Sequence, residues 1–153
     1  MKQIKLLLLC IFIATSNYTS ADNILDFISL GGDTHFNSID VLNTSVILGD
    51  PIIFKRGSFS EFKCSFIAPY NCPDVKVKCY LVINGVSLPI PVQGDSSVLG
   101  MTLPLREGQS YICHILIPWQ NSLQVMACKL RIELHTKDGE KLIAGADMDV
   151  KIQ

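Results

Sequence analysis

Alternation of apolar and polar residues, two by two, runs through most of this chain. Residues 59–66 set Phe62, Cys64 and Phe66 on one side, with Lys63 and Ser65 on the other. Residues 75–83 put Val75, Val77, Cys79, Leu81 and Ile83 opposite Lys76, Lys78 and Tyr80. Residues 125–134 place Met126, Cys128, Leu130, Ile132 and Leu134 against Lys129, Arg131 and Glu133. Residues 142–152 return with Leu142, Ala144, Ala146, Met148, Val150 and Ile152 on one side. A period of two is the signature of a half-buried strand. Shorter strands are predicted over 24–30, 38–42 and 51–55. Residues 111–117 (YICHILI) are apolar on both sides except at His114, the pattern of an interior strand.

Turn chemistry separates these runs. Asn84-Gly85 and Asp138-Gly139 are favoured where a chain reverses between strands. After Gly85, residues Val86, Leu88, Ile90 and Val92 are apolar, but Pro89 and Pro91 lack amide donors. Such a segment is extended and stiff, and it is excluded from the middle of a sheet. It reads either as one lip of an apolar opening or as an edge strand whose prolines block further pairing. No stretch has a helical period. Seven or so strands at short spacing predict an all-β fold, an immunoglobulin-like antiparallel sandwich of two sheets, with a closed barrel as the alternative.

The first 21 residues stand apart. Lys2 and Lys5 precede the apolar run 6–14, and a polar stretch with small residues follows. This order is that of a secretory signal peptide, with cleavage expected after Ala21. Nine apolar residues are too few to span a bilayer, which takes about 20. Residues 22–153 then form one domain. The whole chain has 13 basic and 14 acidic residues, net −1, and loss of Lys2 and Lys5 makes it more acidic. With no basic cluster beyond Lys55-Arg56, nucleic-acid binding has no electrostatic basis. Apolar residues make up 48% of the chain, enough for a sizeable core or a lined cavity. The sequence shows no G-x-S-x-G and no metal-spaced Cys/His cluster, and His35, His114 and His135 are scattered. Neither catalysis nor a cofactor is indicated, so the chain reads as a binder.

From Gly57 onward the chain resembles the ML lipid-recognition family, in particular its Niemann-Pick type C2 sterol-transfer branch, to which mite group 2 allergens also belong. The resemblance rests on RGSFSEFKCSF (56–66), INGVSLPIPV (83–92), LPLREGQSYICHILIP (103–118) and KLRIELHTKDGEKLI (129–143). More loosely, FISLGG (27–32) and VLNTS (41–45) match the family's N-terminal half. It implies a β-sandwich holding a sterol or fatty-acyl lipid between its sheets. Carried over residue by residue, the mouth falls on Ile90, Trp119 and Leu123, with Trp119 facing Ile90. Leu88 lies on the proline lip. The inward positions Phe62, Phe66, Leu81, Leu130 and Ile132 complete the implied lining. The expected setting is secreted or the lysosomal lumen, as a monomer that delivers lipid to a membrane or partner. The alternative is a module presenting lipid to a receptor.

The cysteines depart from the family's three-disulfide pattern. Once Cys10 leaves with the signal peptide, Cys64, Cys72, Cys79, Cys113 and Cys128 remain. Cys64 and Cys79 flank a turn at 69–73, and Cys113 and Cys128 flank one at 118–123. If each turn closes a hairpin, each couple lies across paired strands, within disulfide reach. Cys72 is then the odd thiol. Five buried thiols acting as small hydrophobes are the other reading. Asn43 heads the sequon Asn43-Thr44-Ser45, a glycosylation acceptor in a predicted loop.

Overall fold

The structure is a computed structural model that describes residues 25–42, 44, 47, 49–92 and 100–153. The expected signal peptide and the sequon residue Asn43 lie outside the described residues. Nine strands are present among those described: β1 (Ile28–Gly31), β2 (Phe36–Leu42), β3 (Ile52–Phe54), β4 (Phe59–Ile67), β5 (Val75–Ile83), β6 (Val86–Ile90), β7 (Ser110–Pro118), β8 (Met126–Thr136) and β9 (Leu142–Ile152). They form two separate sheets, so the architecture is a sandwich and not a barrel. The larger runs β1-β9-β8-β5-β6, with β3 joining β9 as well; the smaller runs β2-β4-β7. All neighbours are antiparallel except β3, which lies parallel to β9.

The predicted face assignments of the long strands hold except at Leu142, where a bulge sets it opposite outward His135 and buries Ile143 instead. Phe62, Cys64 and Phe66 of β4 and Val75, Val77, Cys79 and Leu81 of β5 are buried, as are Leu130, Ile132 and Leu134 of β8. They meet in one core between the sheets. Each fully buried large aliphatic contributes about 1.5–3 kcal/mol relative to exposure. Asn84 and Gly85 both take positive φ, 50° and 82°, as the two-residue hairpin turn linking β5 to β6 requires. Gly32, at φ 121°, sits where an added Cβ would be 2.6 Å from the Ile143 carbonyl oxygen. Only glycine lets the chain after β1 pass so close to β9.

Four expectations are corrected. Residues 86–92 are not merely an unpaired lip, because Val86–Ile90 pair with β5 along one side as an edge strand. A missing donor is tolerated there when it faces away from the neighbour, and two prolines spaced by two point the same way. β7, apolar on both faces, is an edge strand of the smaller sheet and not an interior one. Its outer face keeps apolar residues in water, and Ile112 is 52% exposed. The first strand begins at Ile28 rather than residue 24. Leu25 instead leaves the larger sheet and donates its N–H to the Ile39 carbonyl of β2 at 2.9 Å.

The fourth correction concerns the cysteines. Cys64 lies in the smaller sheet and Cys79 in the larger, so the turn between them crosses the sandwich and closes no hairpin. The same holds for Cys113 and Cys128. Cys64 instead stands opposite Cys113 in the β4–β7 ladder, and Cys79 opposite Ile132 and Ile90. All five are free thiols; Cys72 is buried, and Cys128 is the half-buried one.

Candidate functional site

The space between the sheets is built from residues the sequence singled out. Phe62 and Phe66 come from the smaller sheet, and Leu81, Leu130 and Ile132 from the larger. Leu81 and Leu130 are direct cross-strand partners. These five are at most 2% exposed. Among the described residues the only buried polar ones are Ser60 and Asp147. Ser60 accepts a bond from the Trp119 indole N–H at 2.8 Å. Asp147 alternates outward and is held by Arg131 through two bonds of 2.7 and 2.9 Å. The inner faces therefore carry no described charge. Burial raises the Cys64 thiol well above its ordinary range, with Cys113 and Cys79 adding to the effect, and pushes Cys113 up to about 12. Such thiols are unreactive packing groups.

The three implied mouth residues do not converge. Trp119 is 1% exposed and stacks on Phe54 with ring centroids 4.4 Å apart. Phe54 is level with Ile152 of β9. Ile90 is level with Cys79, Ile132 and Ala146. Six residues of strand separate those two rows, about 20 Å. Trp119 is thus a core residue at one end of the sandwich and does not face Ile90. The sequence hid this because the three-residue β3 supplies the stacking partner. Leu123 is half-buried in the turn after β7, where its carbonyl accepts a bond from Arg56 at 3.1 Å. Leu88, 47% exposed, and half-buried Ile90 project from β6 on the side of Leu81 and Cys79.

One side of the sandwich is geometrically distinct. β6 ends the larger sheet and β7 ends the smaller. No ladder joins the described strands of the two sheets, although a backbone bridge between Cys72 and Leu105 ties the β4–β5 connection to the segment before β7. Half-buried Ile90, Val92, Met101 and Tyr111 pack against the core along this side. On the outer face of β7, His114 lies 2.7 Å from Glu61 and is half-buried there rather than packed in the core.

Sequence reasoning missed a cavity of about 690 Å³ at one end of the larger sheet. Its wall includes Val82, Lys129 and Asp149, which are register neighbours across β5, β8 and β9 on the face turned away from the smaller sheet. Segments before β1 and before β3, the Asn84-Gly85 turn and the core-side residues Ile52, Cys128 and Val150 also line it. None of the nine implied lipid-contact residues lines this cavity, and neither does any residue of β2, β4 or β7. Among the described residues no group of three or more His, Cys, Asp or Glu is placed to hold a metal ion.

No protein-family model and no curated protein matches the chain. Solved structures do. A Niemann-Pick type C2 protein from the Japanese carpenter ant superposes with a TM-score of 0.75 at 15% identity, over 84% of this chain and 100% of the other. Chicken MD-1, complexed with lipid IVa, superposes with a TM-score of 0.53 at 15% identity, over 82% and 86%. This chain has their fold.

Proposed function

We propose that this chain is a lipid-binding protein of the ML type, secreted or lumenal, that holds a sterol or fatty-acyl lipid between its two sheets and carries out no catalysis. The observation that carries this reading is the superposition on the whole of the ant Niemann-Pick type C2 protein, supported by the lipid-complexed MD-1. The chemistry of the inner faces is compatible with it. A ligand entering there meets apolar side chains without an unpaired charge, and burial of apolar area at about 25 cal/mol per Å² supplies the drive. The free edges of β6 and β7 form the entrance, with Leu88, Ile90 and Val92 as its lip. Pro89 and Pro91 keep that lip extended at little entropic cost. In this reading the packed core is the unloaded state, and the ligand replaces contacts between the sheets. The greater likeness to the Niemann-Pick type C2 protein favours a carrier that hands lipid to a membrane over a module that presents lipid to a receptor.

The test is mass spectrometry of lipid co-purified with the secreted full-length product, followed by titration of the delipidated protein with a fluorescent sterol and with palmitate. One equivalent of bound lipid is expected. Ile90→Asp, at a half-buried edge position, should remove binding while the fold persists. Transfer of sterol between vesicles without a protein partner distinguishes the carrier from the presenting module. A delipidated, folded protein that takes up neither probe would overturn the reading.

A further inference from the structure

The 690 Å³ cavity on the larger sheet lies within the size range of small-molecule sites, about 300–1,000 Å³. No strand of the smaller sheet contributes to it; Val82, Lys129 and Asp149 line it from the outer face, while Leu25, Ile52 and Val150 line it from the edge of the core. Leu25, Pro51 and Val82 give it apolar surface. Its charged side chains are unbalanced. Lys129 is the one basic residue in the wall, and Asp149 already holds it at 2.9 Å. Asp26 and Asp50 stand at the exposed rim and pair with no basic side chain among the described residues. An apolar floor with two uncompensated carboxylates matches a ligand that has an apolar body and a cationic end. An anionic amphiphile would meet the same carboxylates as repulsion.

We propose that this cavity is a second binding site, for a small amphiphile bearing a protonated amine. The apolar body lies against Val82, Leu25 and Pro51. The ammonium group lies at the rim, between Asp26 and Asp50. The Lys129–Asp149 pair closes the far wall without adding net charge.

Octylammonium, octanoate and 1-octanol, matched in chain length, test this on the folded full-length secreted product by amide chemical-shift titration. Octylammonium is expected to bind saturably, with its largest shifts at Val82, Lys129 and Asp149. It should bind about tenfold more tightly than octanoate, a difference of about 1.4 kcal/mol. The Asp26→Asn/Asp50→Asn double variant should reduce that preference to less than about threefold while leaving octanol unchanged. Val82→Trp fills the cavity from a half-buried outward position and should abolish binding of all three. Retention of sterol binding by Val82→Trp would show that the inter-sheet site is a different one. Equal affinity for octylammonium and octanoate, shifts centred on Phe62 and Ile132, or no saturable binding at millimolar concentration would each overturn the proposal.

Discussion

The two faces of the larger sheet are made by the same strands and obey different physics. On its inner face Leu81, Leu130, Ile132 and Met148 are packed out of water, and no polar contact holds them. On its outer face the same ladder aligns Lys129 with Asp149 and Arg131 with Asp147, each as an ion pair. Moving one residue along β8 exchanges one regime for the other. The inner face derives its stability from area removed from water, so it is intolerant of charge and indifferent to salt. The outer face derives less from its ion pairs, and unequally. Asp147 is 8% exposed and held by two bonds, whereas Lys129–Asp149 is open to solvent.

Substitutions can test that contrast. The largest effect is expected from Ile132→Asp. A carboxylate at a position with no exposure, beside Cys79 and Ala146, has no partner. The loss should exceed about 4 kcal/mol, and circular dichroism should show an unfolded chain. Trp119→Ala follows, at about 3–5 kcal/mol by chemical denaturation, because it leaves a void against Phe54 and orphans the Ser60 hydroxyl. Emission from this buried ring should be blue-shifted in the free protein and change little when lipid binds.

Arg131→Asp is expected to cost about 2–3 kcal/mol, although its neighbours on the outer face meet water. It sets a second carboxylate against the nearly buried Asp147. An effect as large as that of Ile132→Asp would mean that the register of β8 is shifted by one.

The buried thiols give a pH test. Cys64, Cys79 and Cys113 have folded values raised above 9.0, in each case first by burial. An acid that is neutral when protonated and raised on folding stabilises the fold below its unfolded value. The unfolded chain ionises first, so stability falls as pH rises from 9 toward the folded values. One pH unit above 9 should lower stability by about 1 kcal/mol per thiol, and Cys113→Ser should flatten the slope. A thiol reagent applied to the native protein should modify Cys128 well before the other four. The smallest effect belongs to Lys129→Ala, within about 0.5 kcal/mol and sensitive to salt, since its pair with Asp149 is solvent-exposed. A larger loss would show that this pair is more shielded than its exposure indicates.

What the sequence by itself determined is what a strand can encode locally. Alternation placed Phe62, Cys79, Leu130 and Ile132 on inner faces, because side chains on successive residues point opposite ways whatever the neighbour strand is. Asn84-Gly85 fixed the β5–β6 hairpin through the positive φ both residues accept. The prolines at 89 and 91 confined their strand to an edge. The tertiary structure alone decided which strands become neighbours. The turn at 69–73 reads like a hairpin connection but carries the chain to the opposite sheet, so Cys64 meets Cys113 and not Cys79. Burial of Trp119 depends on Phe54, in a three-residue strand laid parallel to β9 from far along the chain. The cavity beside Val82, Lys129 and Asp149 joins segments from five parts of the sequence. Face is set by the bond geometry of one residue after another. Partnership is set by burial summed over distant segments, and no short window of sequence contains that sum.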